Sequence, residues 1–390
     1  MTSPTVARVE SFGLEARLPG AGYGTARVLV QHRIGTAVKV TTSDGVVGWG
    51  ESFGPPRQVQ PTLAAMAHEL IGRPLHAREE FLLEPVNRAY HVASTGLAVA
   101  ALSGLDIAVW DAWARTLDVP IAFLLGGQVT DSVPAYASTG YLTPERDLGA
   151  LRETLDRHVE QGFGRVKLKI GTSPREDAAR VEVAREAVGP DGSVIVDYNG
   201  NNTLGTLRRS YDAIAGYRPE WVEEPLPAND YAGWQQLRDL SITTSAGEAL
   251  FTRFQFVQPI EQRWFDIVQP DVAKCGGFTE ASAVRAMTVA ANLAFSPHCW
   301  GSGIALAATV QLLASTTRSP FGLTGPDVAL LEFDQGVNPL RDSVLREPIR
   351  AAGGRVPVPT GPGLGVEIDE DWIRAHAVTR TSTDQGMGAR

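Results

Sequence analysis

The second half of this chain alternates short apolar runs with polar residues at a nearly regular interval. Seven apolar runs, from RVKLKI to LLE, end at or beside an ionisable side chain, and successive members of this series are 23 to 34 residues apart. One strand, one helix and two loops take roughly 25–30 residues, so the pattern predicts repeated strand–helix units. The seven residues are Lys169, Asp197, Glu223, Glu248, Asp271, His298 and Glu332.

This alternation predicts an α/β fold with a β/α barrel in the second half of the chain. Polar residues at the C-terminal ends of barrel strands face one mouth, where barrel enzymes keep their chemistry. The series supplies carboxylates, a lysine and a histidine that an aspartate can orient. It therefore predicts a metal-assisted acid/base site.

The first 130 residues follow a different pattern. Residues 1–50 predict a β-meander with strands in VARVESFGLEA, ARVLVQHR and AVKVTTSDGVVGWGE, the last folded about Asp44-Gly45. Residues 57–127 show helical spacing of apolar positions. Strands followed by helices indicate an α+β domain over residues 1–130.

Two further boundaries follow from the pattern. The strand–helix alternation occupies residues 131–340, with SVPAYAST as its first strand. Ser173, Pro174 and Glu176 predict a capping box at the start of one helix, which Gly189 can end. Residues 341–390 are strand-like and rich in Gly and Pro, and we expect them to return to the first domain and to end in a frayed tail, TRTSTDQGMGAR.

Composition excludes several classes of function. The net charge is −9 and no Lys/Arg cluster occurs, which argues against nucleic-acid binding. MTSPTVARVE lacks the features of a secretory signal. The longest apolar stretch, GLAVAALSGLDIAVWDAWA, contains Asp106 and Asp111, which favours a buried amphipathic helix over a membrane span. The two cysteines, Cys275 and Cys299, are expected to be buried and unpaired, and the protein to be cytoplasmic.

Three carboxylates close three consecutive predicted strands. Neighbouring strands lie about 4.8 Å apart, so Asp197, Glu223 and Glu248 can converge on one cation. An all-oxygen ligand set favours Mg²⁺ or Mn²⁺ over Zn²⁺. Glu224 should point to the other face of its strand and lie outside this set.

Candidate bases lie on both sides of these carboxylates. Lys167 and Lys169 are two residues apart, so both face the interior, where a second cation and a metal lower a lysine pKa. Asp271, one strand before His298, can fix the imidazole tautomer and leave the other nitrogen free for proton transfer. A Cys299 nucleophile is disfavoured because adjacent strand residues face opposite sides.

Motifs of catalytic nucleophiles and of nucleotide-binding loops give no alternative function. The chain has no G-x-S-x-G elbow and no G-x-x-x-x-G-K-[ST] phosphate loop. GPGLG at 361–365 has spaced glycines, but no helical pattern follows it, so it does not predict a dinucleotide site.

Taken together, these residues resemble the mandelate racemase subgroup of the enolase superfamily over nearly the whole chain. The matching positions are Lys167 and Lys169 (K-x-K), Asp197 (VDYN), Glu223 (VEEP), Glu248 (AGE), Asp271 (QPD), His298 (SPH), Glu332 (LEF) and Asn199, a polar residue beside the first ligand. The resemblance implies a (β/α)₇β barrel under an α+β capping domain, with LPGAGYGTA and ESFGPPR as loops that close over substrate. QPDVAKCGGF, PHCWGSG and GPGLGVEI are similar to acid-sugar members, most closely galactarolactone cycloisomerases.

The resemblance implies Mg²⁺-dependent removal of a proton α to a carboxylate through an enediolate. Lys169 and His298 would flank the α-carbon, Lys167 would add positive charge, and Glu332, protonated or hydrogen-bonded, would donate to the opposite oxygen. Trp300 would shape a sugar-ring pocket or simply pack. β-Elimination on a sugar acid or lactone is the main hypothesis, with an acid-sugar dehydratase, a 2-hydroxy acid racemase or epimerase, and a catalytically silent binding protein as alternatives. We expect a small-molecule carboxylate substrate, no nucleic-acid or membrane partner, and a homo-oligomer.

Overall fold

The fold consists of an antiparallel sheet with helices and a larger parallel sheet surrounded by helices. It comes from a computed structural model that describes residues 3–77, 80, 84, 87–238, 240–317 and 329–384. The strands are β1 (Val6–Arg17), β2 (Tyr23–Gly24), β3 (Leu29–Val30), β4 (His32–Thr42), β5 (Val47–Ser52), β6 (Ser132–Ser138), β7 (Arg165–Lys169), β8 (Ser193–Asp197), β9 (Val222–Glu223), β10 (Thr244–Ala246), β11 (Ile267–Val268), β12 (Ala294–Phe295), β13 (Leu331–Asp334), β14 (Arg355–Pro357) and β15 (Ala377–Asp384).

Helices connect most of these strands. They are α1 (Pro56–Leu70), α2 (Tyr90–Ala93), α3 (Gly96–Thr116), α4 (Ile121–Leu124), α5 (Leu148–Glu160), α6 (Pro174–Val188), α7 (Leu204–Ile214), α8 (Tyr231–Leu237), α9 (Thr252–Glu261), α10 (Gly277–Ala290), α11 (Gly303–Ala314), α12 (Pro339–Ser343) and α13 (Glu370–His376). Short 3₁₀ turns occur at Leu75–Ala77 and Ala215–Tyr217.

The antiparallel sheet, called the cap sheet below, has the order β15-β1-β4-β5. The Asp44-Gly45 hairpin joins β4 to β5 as predicted, with Gly45 at φ 88°. Helices α1 and α3 cover one face, where their apolar residues share a core with Val38 and Val40 of β4. The strand predicted for ARVLVQHR is wrong in extent: Leu29–Val30 pairs with β2 inside the LPGAGYGTA loop, whereas His32 and Arg33 begin β4 and pair with β1.

The parallel sheet contains eight strands in the order β12-β11-β10-β9-β8-β7-β6-β13. Seven of these pairs are parallel, as repeated strand–helix units require. Within the described residues no ladder joins β12 to β13, so the strand pairs form a curled sheet that they do not close. A buried apolar cluster includes Tyr136 of β6, Ile195 of β8 and Ile267 of β11, so it joins several strands of this sheet.

Helix α3 fills the space between the cap sheet and the parallel sheet. By length and composition it is the one helix in the described part of the chain that could cross a membrane, but 83% of its most apolar window is buried inside the protein. The prediction of a buried helix holds, although its amphipathic character does not, because Asp106 and Asp111 are fully buried too. Asp111 accepts hydrogen bonds from Trp49 N and Leu364 N, which satisfies the carboxylate.

The C-terminal segment contacts both sheets. β14 pairs antiparallel with β6, and β15 pairs antiparallel with β1 at the edge of the cap sheet. The expectation of a frayed tail is therefore wrong for residues 379–384, whose backbone groups are paired in β15. Alternating Thr and Ser suit an edge strand with one exposed face. Residues 385–390 of the predicted tail lie outside the described residues.

The start of α6 forms only part of the predicted capping box. Ser173 Oγ accepts from Glu176 N, Pro174 is the first helical residue and Gly189 ends the helix at φ 72°. The Glu176 carboxylate instead accepts from Arg146 Nη1 at 2.7 Å, so it does not reach back to Ser173 N. The Glu176 carboxylate therefore pairs with a cationic side chain of another segment and not with the local backbone N–H.

Candidate active site

Three carboxylates meet at the C-terminal edge of the parallel sheet. Asp197 and Glu223 are the last residues of β8 and β9 and lie opposite one another in register. Glu248 lies two residues beyond β10, after Gly247, which has φ 139°. One ligand atom from each carboxylate lies within 4.8 Å of the others.

Two lysines of β7 pair with this group from one side. Lys167 Nζ contacts Glu223 and lies 2.6 Å from Glu332 Oε1, while Lys169 Nζ contacts Asp197. Both ammonium groups are buried, as the K-x-K spacing and the apolar residues between them require. The lysines therefore supply the counter-charge for part of the carboxylate cluster.

His298 approaches the cluster from the opposite edge. Its Nδ1 lies 2.7 Å from Asp271 Oδ2, and its Nε2 lies 3.2 Å from Glu248 Oε2. Asp271 and His298 form an isolated parallel bridge beyond the ends of β11 and β12. A proton on Nδ1 donated to Asp271 leaves Nε2 directed toward the carboxylates, as the sequence predicts.

Glu332 of β13 lies between the lysines and the His298 segment. It accepts from Ser138 Oγ at 2.7 Å and from Cys299 N at 3.1 Å. Burial raises the pKa of Glu332, but the charges of Lys167, His298 and Lys169 outweigh it and hold that pKa well below its usual range. Of the two expected states, the structure favours a hydrogen-bonded carboxylate that accepts, over a protonated one that donates.

The sequence predicts a lowered lysine pKa, but the buried carboxylates raise the pKa of both lysines. Burial by itself lowers the pKa of Lys169, but the charges of Asp197, Glu332 and Glu223 together outweigh it and the pKa is raised. Burial raises the pKa of Glu223 to about 7 against the effect of Lys167. A bound cation would neutralise Asp197 and remove the main reason for the raised lysine pKa.

Glu224 lies outside the group of possible ligands, as predicted, although its backbone is not that of a strand. Its backbone has φ 38°, which interrupts strand alternation directly after β9. Burial raises the pKa of Glu224, and the charges of Glu248 and Asp197 raise it further. The group of possible ligands in the described residues nevertheless contains only Asp197, Glu223 and Glu248.

Asn199 and Trp300 were predicted to contact substrate. Asn199 has φ 47°, and its buried Oδ1 makes no hydrogen bond. Trp300 is half-buried, donates from Nε1 to Tyr141 Oη at 2.9 Å and stacks on Arg33, whose Cζ lies 3.5 Å from the ring centroid. Trp300 is thus fixed between the cap sheet and the parallel sheet.

Sequence reasoning missed several residues around the cluster. Tyr136 lies beneath Lys167, with its ring centroid 5.5 Å from Nζ, and Gln269 Nε2 donates to Glu223 Oε2 at 2.9 Å. Tyr141 Oη donates to Asp334 Oδ1 at 2.8 Å. Ser138 was detectable, because it ends the first predicted parallel strand, as the seven polar residues end theirs. The other contacts join distant segments and left no periodic signal.

The residues present fit a small divalent cation. Three carboxylates offer only oxygen donors, which suits Mg²⁺. Glu248 Oε2 is buried and makes no hydrogen bond, and its recorded contact is His298 Nε2 at 3.2 Å, although buried polar atoms normally find a hydrogen-bond partner. A cation bound by Asp197, Glu223 and Glu248 would give that oxygen a partner.

Comparisons with known proteins agree with this geometry. The family described as "Enolase C-terminal domain-like" matches residues 150–372, and the "Mandelate racemase / muconate lactonizing enzyme, N-terminal domain" matches residues 16–126. A D-galactarolactone cycloisomerase from Agrobacterium fabrum is 34% identical over 369 residues, covering 94% of this chain and 97% of that protein. An arabinonate dehydratase from Saccharolobus solfataricus is 31% identical, covering 85% and 87%.

Solved structures show the same architecture. The crystal structure of a 3,6-anhydro-D-galactonate cycloisomerase from Zobellia galactanivorans superimposes with a TM-score of 0.86 at 28% identity, covering 96% of this chain and 100% of that one. Enolase-superfamily enzymes use Mg²⁺, in agreement with the carboxylate group found here. The chain belongs to the mandelate racemase/muconate lactonizing enzyme family of the enolase superfamily.

Proposed function

We propose that this enzyme removes the proton α to the carboxylate of a sugar acid or its lactone, in a Mg²⁺-dependent reaction through an enediolate, and then eliminates the β leaving group. The observation that carries the proposal is the arrangement of two candidate bases around one carboxylate cluster. Lys169 contacts Asp197 at one edge, and His298 Nε2 lies 3.2 Å from Glu248 at the other. A substrate carboxylate held at the cluster would present its α-carbon between them.

Each side chain has a role in this scheme. Mg²⁺ held by Asp197, Glu223 and Glu248 would supply positive charge to the substrate carboxylate. Lys167 adds a second buried cation beside Glu223. Lys169 and His298 hold and move protons on opposite faces of the α-carbon, and Asp271 keeps the His298 tautomer that leaves Nε2 available.

Glu332 needs a different role from a simple proton donor. As a carboxylate between Lys167 and the Cys299 N–H, it orients the lysine and the backbone donor. Proton donation from Glu332 would require a change of its charge surroundings when substrate and cation bind. Until that change occurs, Lys167 rather than Glu332 is the donor to the substrate carboxylate oxygen that Glu332 would contact.

Elimination from a lactone and dehydration of an open-chain acid are the two main forms of this reaction. Hydroxide is a poor leaving group that needs a strong general acid, whereas a lactone expels a carboxylate with little help. Both routes lead to a 3-deoxy-2-keto acid, so the preferred substrate distinguishes them. We favour the lactone, because the relatives at 34% and 28% identity quoted above are both cycloisomerases by name.

The test compares substrates rather than products. We expect the Mg²⁺-loaded enzyme to convert a hexarolactone with a higher kcat/KM than the open-chain diacid, at a pH where the lactone survives. Equal or better turnover of the diacid, or of a monocarboxylic aldonate, would support the dehydratase. α-Proton exchange on a smaller 2-hydroxy acid without any 2-keto product would support the racemase.

The proposal extends to architecture and assembly. The curled parallel sheet and the solved relatives favour a (β/α)₇β barrel beneath a capping domain. We further propose a cytoplasmic homo-oligomer whose partner is the small carboxylate substrate, not nucleic acid or membrane. Light scattering on the purified protein would test the assembly, and a single-chain mass of 41.8 kDa would contradict it.

A further inference from the structure

Four successive residues join His298 to helix α11, and side chains from four other segments hold their backbone. Cys299 N donates to Glu332, Trp300 O accepts from Arg33 Nη2 at 2.6 Å, Gly301 O accepts from Asn338 Nδ2 at 2.9 Å, and Ser302 N donates to Glu51 Oε1 at 2.9 Å. In the described residues no backbone ladder holds Cys299, Trp300 or Gly301. Side chains therefore determine where this segment lies.

Of these four side chains, Glu51 makes the most hydrogen bonds to the segment and to the start of α11. It is the last residue but one of strand β5 in the cap sheet and is 2% exposed. Its carboxylate accepts from Ser302 N, from Ser302 Oγ and from Ala305 N, the last at 2.9 Å. These donors belong to the first turn of α11, where backbone N–H groups lack helical partners and favour a negative charge.

The fit around Glu51 leaves little room for another arrangement. A Cβ atom at Gly301 would lie 2.8 Å from Glu51 Oε1, so the glycine permits the carboxylate to approach the segment. Arg33, on the neighbouring strand β4, adds a second contact from the same sheet and is itself held by Asp334 at 3.1 Å. Glu51 and Arg33, two oppositely charged side chains of the cap sheet, thus bind the segment 299–302.

We infer that Glu51 is a positioning residue for His298, so that the cap sheet must be docked on the parallel sheet for the His298 base to be in place. Ser302 is only four residues from His298, whose ring is held on its other side by Asp271. Loss of the Glu51 contact frees the first turn of α11 and the segment before it. A base displaced by about 1 Å can cost about 100-fold in rate.

This inference rests on the proposed function for its effect on rate, but not for its effect on His298 itself. The first readout is therefore the NMR signal of the His298 imidazole N–H in Mg²⁺-loaded protein labelled with ¹⁵N-histidine, assigned by its loss in His298→Asn. We expect Glu51→Gln to shift or broaden this signal, because the amide replaces one acceptor oxygen with a donor facing N–H groups. Ser302→Ala, a milder change, should act in the same direction.

Asp111→Asn is the matched control. Asp111 is another fully buried carboxylate that accepts from a backbone N–H of β5, that of Trp49, but its recorded hydrogen bonds do not reach residues 298–305. We expect it to leave the His298 signal unchanged while affecting stability. If Glu51→Gln and Ser302→Ala fold and leave the signal unchanged, or if Asp111→Asn moves it equally, the inference is wrong.

Turnover provides the second readout. Glu51→Gln should lower kcat by about 10- to 100-fold with little change in KM, since the substrate carboxylate site is untouched. A parallel fall in the amount of folded protein alone would contradict a positioning role. Absence of α-proton exchange and turnover in the unmodified enzyme would instead overturn the proposed function, and the NMR comparison would still decide the role of Glu51.

Discussion

Asp271 Oδ2 lies 2.7 Å from His298 Nδ1, across an isolated parallel bridge that extends two strands beyond their ladders. The bond holds the ring so that Nε2 faces Glu248. Burial alone lowers the pKa of His298, but the charges of Glu248 and Glu332 and the bond to Asp271 raise it to about 9. The imidazole is therefore stabilised in its protonated form.

Asp271→Asn should remove both orientation and basicity from His298. We expect kcat/KM to fall by about 10²-fold or more, the size of a general acid/base contribution. Because Asp271 raises the His298 pKa, its loss should move the limb of the pH–rate profile that reports His298 to lower pH. A profile of unchanged shape and height would contradict the assigned role.

Glu223→Gln tests the metal site with an isosteric change. We expect less than one Mg²⁺ per chain by elemental analysis and a loss of activity of at least about 10²-fold, since one ligand charge is gone. Glu220→Gln is the control, because Glu220 lies three residues earlier and pairs with Arg165 at the surface. Full activity of Glu223→Gln, or of the enzyme in excess EDTA, would rule out this metal site.

Lys169→Ala and His298→Asn should each reduce elimination by more than about 10²-fold. One of them can still exchange the substrate α-proton with D₂O, which identifies the residue that acts as the acid. Arg165→Ala, at the other end of β7 and half-exposed, should behave as the unmodified enzyme does. Normal turnover in both active-site variants would contradict the two-base scheme.

Arg33→Met should destabilise the folded protein. Arg33 and Asp334 are 2% and 4% exposed and 3.1 Å apart, and in the described residues removal of Arg33 leaves the buried Asp334 charge with only the more distant Arg341, at 4.0 Å. We expect the free energy of unfolding to fall by about 3–5 kcal/mol in urea titrations. Arg8→Met removes an exposed pair with Asp384 at 3.8 Å and should cost less than about 1 kcal/mol. Equal effects of the two changes would show that burial is not decisive here.

Glu370 connects the C-terminal helix α13 to the cap sheet through Lys39, at 2.7 Å. Burial raises the Glu370 pKa, but the hydrogen bonds from Lys39 and Arg374 and the charges of these two residues together lower it overall. A carboxyl with a depressed folded-state pKa stabilises the fold above its unfolded pKa of about 4.3 and loses this effect as the pH falls through the folded value.

Glu370→Gln should therefore destabilise the protein at pH 7 by less than about 1 kcal/mol, because solvent screens this partly exposed pair. The difference from the unmodified protein should shrink below pH 4, as measured by urea unfolding at several pH values. A difference that is constant with pH would show that Glu370 acts through packing rather than charge.

The sequence by itself determined the strand–helix order and the residues at each strand end. The periodic placement of Lys169, Asp197 and Glu223 follows from strand geometry, because one residue per repeat at the end of a parallel strand must face the same edge. The Asp271–His298 pair followed for the same reason, since the two residues lie just beyond the ends of the adjacent strands β11 and β12. Local backbone chemistry likewise predicted the Asp44-Gly45 hairpin and the start of α6. Glu332, predicted to end its strand, is instead the second residue of β13.

The tertiary structure decided what depends on distant neighbours. Glu224 adopts a left-handed backbone at φ 38° directly after β9, and Glu176 paired with Arg146 instead of closing a capping box. The raised lysine pKa reflects buried carboxylates from other strands. Contacts such as Glu51 with Ser302 join residues 251 positions apart. Such contacts have no sequence period, because the packing of one sheet on another, and not the repeat along either, brings them together.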